Sequence, residues 1–275
     1  MSTMLPVDPS LDEAPRLLAL IEGSTARLSA AVARLEGPEL DAPSLLPGWS
    51  RRTIVAHLTF VAAAYQRMTT DVLAARRTTT YPGGSAERER SLRSLDHLRP
   101  AEVCNRLRGA GASLLTQWRG LDREDWARPL SGEAVGPMAS SRLLALRLTE
   151  LEVHHVDLDT GYPIGSWPAG FVAACLPLRI AWLGPHHRSR PEADLEVRGR
   201  WLLRAADLER AWVVEASGPT ARCRATAPDE RADAVLTGAA ADLLAFLLGR
   251  APSRALELAG DEDLARAFKR AFPGP

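Results

Sequence analysis

Glycine and proline clusters cut the first 165 residues into four segments, and each segment repeats apolar side chains at three- and four-residue spacing. That spacing gathers the apolar residues on one helical face, which can be buried only against its neighbours, so the pattern predicts a helical bundle. The first segment opens at Ser10 with Glu13 three residues on, a capping-box pattern, and runs through Leu18, Ile21, Leu28, Val32 and Leu35 to Gly37-Pro38. A proline-rich loop, DAPSLLPGWS, ends at Ser50, which caps a second helix carrying Ile54, Leu58, Val61, Tyr65, Met68 and Val72 to about Arg77. The stretch TTTYPGGSAERERS reads as a mobile connection. Pro100 opens a third helix with Val103, Leu107, Leu114, Leu115 and Trp118, and a long loop through Trp126, Pro129 and Pro137 follows. The fourth helix, SRLLALRLTELEVHHVDLDT, is capped by Ser140 or Ser141 and stops at Gly161 and Pro163.

Past Trp167-Pro168 the texture changes. One more helix, 169–183, precedes short runs (ADLEVR, WLLRAA, RAWVVEA, ARCRATA, ADAVLTG) that read as a meander of antiparallel strands. The helices AAADLLAFLLGR and DEDLARAFKRAF close an α+β unit. The expected organisation is a helical domain over 1–165 and a smaller α+β domain with an antiparallel sheet over 166–275, the boundary lying near 163–168.

Composition narrows the function. Lys+Arg and Asp+Glu are equal at 34 each, so no global field attracts nucleic acid or an anionic membrane. Lys269 is the only lysine, a bias of the kind GC-rich coding produces. Cys104, Cys175 and Cys223 are far apart and form no C-x-x-C pair, which suggests neither a disulfide framework nor a thiolate zinc site. Cys104 and Cys175 sit in apolar helical contexts and read as packed. MSTMLPVDPSLDEAP lacks the basic start and apolar core of a signal peptide, and no stretch has the roughly 20 apolar residues of a membrane span. The expectation is a soluble protein of the cytoplasm.

The fourth helix carries the chemistry. At 100° per residue with Glu150 at zero, Asp157, Leu143, His154 and Arg147 fall between about −20° and +60°, inside the apolar face. Ala145, Glu152 and Asp159 fall opposite and read as its solvent side. Buried carboxylates and imidazoles need pairing or a metal, and Glu150 and His154 stand one turn apart, where they can share an ion. His57, between Ile54 and Val61 on the second helix, points into the same core. Two histidines and a glutamate with an open fourth position form a donor set for catalytic zinc. The competing reading is a hydrogen-bonded core histidine, with Glu150 paired to Arg147 three residues before it. His97, His155, His186 and His187 read as surface or rim residues, and Trp49 as a packing residue that fixes the turn into the second helix.

At these residues a family resemblance appears. PGWSRRTIVAHL and RLTELEVHHVDLDTGY are similar to the two motifs of the mycothiol-dependent maleylpyruvate isomerase family within the DinB-like superfamily. AVLTGAAADLLAFLLGR and LELAGDEDL resemble its C-terminal, sterol-carrier-like domain. The resemblance implies a DinB-like four-helix bundle with His57, Glu150 and His154 as zinc ligands. It implies mycothiol as cofactor, the low-molecular-weight thiol of actinobacteria, which agrees with the arginine-for-lysine bias. Zinc would stabilise the thiolate, which adds to a small electrophilic substrate. Departure of the thiol after bond rotation gives cis-trans isomerisation, and its retention gives an S-conjugate. Asp157 would orient a ligand or handle a proton, or else form a salt bridge with Arg147 or Arg142. Arg250 would meet a carboxylate of substrate or thiol, or else serve as a cation at a helix end, and Arg147 and Arg250 are the cofactor-binding candidates.

Three classes of function are therefore in play: a mycothiol-dependent metalloenzyme, as isomerase or S-transferase; a non-catalytic small-molecule binding module with a structural metal, which a fourth protein ligand would favour; and a nucleic-acid or regulatory protein, which neutral charge argues against. The expected partners are a thiol and a small electrophile, with no nucleic acid and no membrane, in a monomer or small homo-oligomer.

Overall fold

The computed structural model describes residues 8–132, 138–187 and 193–274. They fall in two compact units that meet in sequence at Ser166 and Trp167. Residues 1–7 of the expected first domain, Pro137 of the expected loop and Pro275 lie outside the described residues.

The first unit is a four-helix bundle of α1 (Ala14–Val32), α3 (Arg51–Leu73), α5 (Pro100–Arg119) and α7 (Arg142–Asp157), with α2 (Gly37–Asp41), α4 (Gly84–Leu92) and α6 (Arg123–Ala127) in its connections. α1 packs on α5 and α7, and α3 packs on the same two, which closes the ring. Leu28, Ile54, Leu58, Leu107, Leu114, Leu143 and Leu148 are all fully buried, which is what the three-and-four spacing requires.

Local differences from the sequence reading have identifiable causes. Ser10 caps a short 3-10 turn at Leu11–Glu13 ahead of α1, with Pro15 in the first helical turn, and the buried face uses Leu17 rather than Leu18. Gly37-Pro38 does not end the first helix; it opens α2, where Glu36 and Glu39 form a capping box. Ser50 does cap α3, its hydroxyl accepting from the Thr53 amide at 3.2 Å. α3 ends at Leu73 because Ala75 turns left-handed (φ 54°) and the Asp71 carboxylate binds Arg76 and Thr78. The expected mobile connection contains α4, started by the Glu87 carboxylate accepting from the Gly83 amide at 2.6 Å. The loop after α5 holds α6 and a small antiparallel pair, β1 (Pro129–Leu130) and β2 (Met138–Ala139). Ser141 precedes α7 but gives it no side-chain cap, and the Ser140 hydroxyl donates instead to the Asp125 carbonyl at 2.7 Å.

The solvent side expected for α7 is also corrected. Ala145 and Glu152 are buried, because α1 crosses that face and delivers Ser24 and Arg27 to the Glu152 carboxylate. Asp159 is exposed, but it lies past the end of the helix with φ 52°.

The second unit pairs a five-stranded sheet with α8 (Ala169–His187), α9 (Ala240–Leu247) and α10 (Glu262–Ala271). Strand order is β5 (Thr220–Thr226), β4 (Arg210–Ser217), β3 (Gly199–Ala205), β6 (Ala234–Gly238) and β7 (Glu257–Gly260). A simple antiparallel meander is overturned: β3 and β6 run parallel, with Leu203 beside Leu236, while the other neighbours are antiparallel. Parallel neighbours need a crossover, and 227–233 makes it. That segment is held to the sheet by Glu230, which binds Arg200, Arg224 and Thr226. The run ADLEVR is not a strand. Among the described residues no helix is long and apolar enough to cross a membrane.

Cys104, Cys175 and Cys223 are buried and in no disulfide among the described residues, and burial pushes the Cys223 thiol up to about 12.

Candidate functional site

Three helical positions converge at one point in the bundle. Gly48, with φ 78°, lets the chain turn into α3 directly behind the Ser50 cap, and this sets the phase that turns His57 inward. From α7, Glu150 and His154 rise one turn apart toward it. His57 Nε2 lies 2.9 Å from Glu150 Oε2, and His154 Nε2 lies 3.2 Å from the same oxygen. One donor atom from each residue falls within 4.8 Å of the others, so the three can hold a metal ion.

The surroundings favour that donor set. His154 Nδ1 is 2.8 Å from Asp157 Oδ2, and Asp157 is fully buried. A carboxylate on Nδ1 fixes the tautomer and turns Nε2 toward the cluster, the usual arrangement behind a metal-bound histidine. Burial opposes a charged His154, but its hydrogen bonds with Asp157 and Glu150 outweigh burial and raise it to about 9. Burial likewise opposes a charged Glu150, and the two imidazoles overcome it, holding the carboxyl well below the usual carboxylate range. Both shifts run in the direction of a Glu150 carboxylate beside a charged His154. Two imidazole nitrogens and one carboxylate oxygen match the donors zinc prefers.

The remaining candidates are placed as follows. Arg147 is 1 % exposed; its Nη1 donates to the Leu58 carbonyl at 3.0 Å, and Nη2 has no hydrogen-bond partner among the described residues. Burial lowers its guanidinium to about 10, against the attraction of Glu150 and Tyr65. Arg250 follows α9 in the second unit, where its Nη1 donates to the Leu248 carbonyl at 3.0 Å. His155 and His187 are not surface residues. His155 is buried and stacked on Tyr162 with ring centroids 3.8 Å apart. His187 is buried between the Ala271 and Gly218 carbonyls, each 3.0 Å from a ring nitrogen. His97 is exposed, and the His186 side chain lies outside the described residues.

Sequence reasoning missed the place of Trp49 beside the cluster, and of Arg88 and Tyr81 behind it. The Trp49 ring stands 5.5 Å from His57 and 6.4 Å from His154 between centroids. Arg88, on α4, places its guanidinium 5.6 Å from the Trp49 ring centroid and also meets the Tyr81 hydroxyl. Trp49 was legible as a turn residue only, and nothing in the polar run around Arg88 marks it as a neighbour of the site.

Fold and cluster together define a class: a two-unit α+β protein whose four-helix bundle presents a partly buried His-Glu-His set of metal-ligating type. Residues 21–159 match the model of the mycothiol maleylpyruvate isomerase N-terminal domain, and the chain belongs to that family. The fold is similar to the crystal structure of the mycothiol-dependent maleylpyruvate isomerase, at 19% identity and a TM-score of 0.68 over 90% of this chain and 92% of that one. A histidine-to-alanine mutant of that isomerase matches equally well, at 18% identity and a TM-score of 0.68 over the same shares. Comparison with curated proteins finds no match.

Proposed function

We propose that the chain is a mycothiol-dependent zinc enzyme acting on a small electrophile. The observation that carries this reading is the convergence of two imidazole Nε2 atoms on one Glu150 oxygen, in a chain of this family. His57, Glu150 and His154 would hold the metal and leave a further position open. Zinc there supplies a Lewis acid that lowers the pKa of a coordinating thiol.

The protein's own groups have separable tasks. Asp157 keeps His154 in the ligating tautomer and shares the charge that builds up on it. Arg147 stands behind Glu150 as a buried counter-charge, and Trp49 walls the cluster on the side of the two imidazoles. Arg250, in the second unit, is assigned to a carboxylate of thiol or substrate, and substitution by methionine should then raise KM more than it lowers kcat. The reaction class is thiol addition to an electrophilic carbon, ending in cis-trans isomerisation or in an S-conjugate.

Zinc-loaded protein with mycothiol should be given maleylpyruvate and, separately, a simple alkylating electrophile. Isomer ratio is read by nuclear magnetic resonance and conjugate by mass spectrometry. Mycothiol-dependent turnover that a chelator abolishes supports the reading, and conjugate without isomer selects transfer. Failure of both reactions with fully loaded protein removes it.

A further inference from the structure

The loop that carries Trp49 is pinned at both ends. The Trp49 carbonyl accepts from the Ser44 amide at 2.9 Å and from the Ser44 hydroxyl at 2.8 Å. The Leu45 amide donates at 2.9 Å to the carbonyl of Asp157, the residue whose side chain holds His154. The indole so fixed touches both imidazoles of the cluster: it is inclined at 66° to His57 and lies within 13° of parallel to His154. Arg88 reaches its ring from α4, and Tyr81, which Arg88 also meets, is stacked on Phe60 at 5.0 Å.

The two histidines are oriented by different means. An imidazole presents its lone pair in the ring plane, so a ligating ring has to be held in rotation as well as in position. Asp157 does this for His154 through Nδ1. His57 meets Glu150 through Nε2, but its Nδ1 is buried and has no hydrogen-bond partner among the described residues, so on that side packing is left to hold its plane. Two rings pack on it: His154, edge-on at 4.9 Å and already fixed by Asp157, and Trp49 at 5.5 Å, whose own position depends on the pinned loop and on Arg88.

We propose that Trp49 is a positioning residue of the site. Its indole sets the plane of His57, supports that of His154, and is steadied from α4 by the Arg88 guanidinium. This rests on the reading of the cluster as a metal site, and it assigns to the Pro-Gly-Trp turn a task beyond starting α3.

Cobalt(II) titration of the full chain tests it, because the visible bands of the bound ion report ligand geometry directly. Trp49→Phe retains an aromatic face and should stay close to the wild type in affinity and spectrum. Trp49→Leu should bind cobalt about 10-fold more weakly, the scale on which groups behind metal ligands act, and with displaced bands. Arg88→Met should shift both in the same direction by less. Wild-type affinity and bands in Trp49→Leu would overturn the proposal. So would a Trp49→Leu chain that fails to fold by circular dichroism, since the indole would then serve the bundle rather than the site. A wild type that binds no cobalt would remove the metal reading itself, an outcome distinct from an unchanged Trp49→Leu variant.

Discussion

The two sides of α7 carry the same kinds of group, a carboxylate and a histidine, and treat them differently: Glu152 is buried, whereas Glu150 is partly open. On one side Glu152, 1 % exposed, receives the Ser24 hydroxyl, the Arg27 guanidinium at 2.6 Å and the Tyr162 hydroxyl at 2.6 Å, with His155 stacked on Tyr162 nearby. On the other side Glu150 is met by two imidazoles and backed by Arg147. Glu152 is satisfied by a cation and two hydroxyls, so its network ties α1 to α7 and to the turn after it. Glu150 shares its oxygen with two groups that are themselves metal ligands by type. A carboxylate and a histidine on one helix are therefore not enough to suggest a metal site; the chemistry of what surrounds the carboxylate is what distinguishes the two sides.

This contrast predicts opposite responses to substitution. The largest effects should come at the cluster: His57→Ala and His154→Ala should each lose nearly all zinc, well beyond the roughly 10- to 100-fold loss of affinity that removal of an outer partner causes. Metal analysis after dialysis measures this, and full occupancy in either variant would take that residue out of the site. Glu152→Ala should keep its zinc but lose about 2 kcal/mol of stability in urea denaturation, since it leaves the buried Ser24 hydroxyl without its acceptor, while Arg27, 41% exposed, stays hydrated. A Glu152→Ala protein that is stable but metal-free would reverse the assignment of the two sides.

Acid should act through the Glu152 side. Burial, aided by repulsion from Arg27 and Arg34, lowers His155 to about 4. The unfolded chain takes up this proton near pH 6.5, whereas the folded chain refuses it until about 4, so stability from this group is full above pH 6.5 and declines between the two values. The slope should approach about 1 kcal/mol per pH unit in that window. His155→Phe, which keeps the stack on Tyr162, should flatten it; an unchanged slope would place the acid sensitivity elsewhere. The smallest effect is expected from Asp157→Asn, which should retain zinc at about 10-fold lower affinity, because it weakens the orientation of His154 without removing a donor.

The same contrast explains what the sequence made legible. Helix faces, the Ser50 cap and the inward phase of His57, Glu150 and His154 follow from local periodicity and capping, so they could be read one segment at a time. The burial of Glu152 and His155 depends on α1 crossing the far side of α7, and a helical wheel does not report which faces have neighbours. The parallel pairing of β3 with β6 depends likewise on a crossover whose strands give no sign of their partners. Trp49 reaches the cluster from a turn and Arg88 reaches Trp49 from a polar helix, and only the path of the chain brings them there.

The central claim is that the cluster holds zinc in order to activate a thiol, and calorimetry of mycothiol binding tests it most directly. Titration into zinc-loaded and metal-free protein, in two buffers of different ionisation enthalpy, gives affinity and proton release together. The account predicts binding at least about 10-fold tighter to the zinc form, with release of about one proton near neutral pH. Equal affinity with and without zinc, and no proton release, would contradict it even if His57, Glu150 and His154 proved to be the ligands.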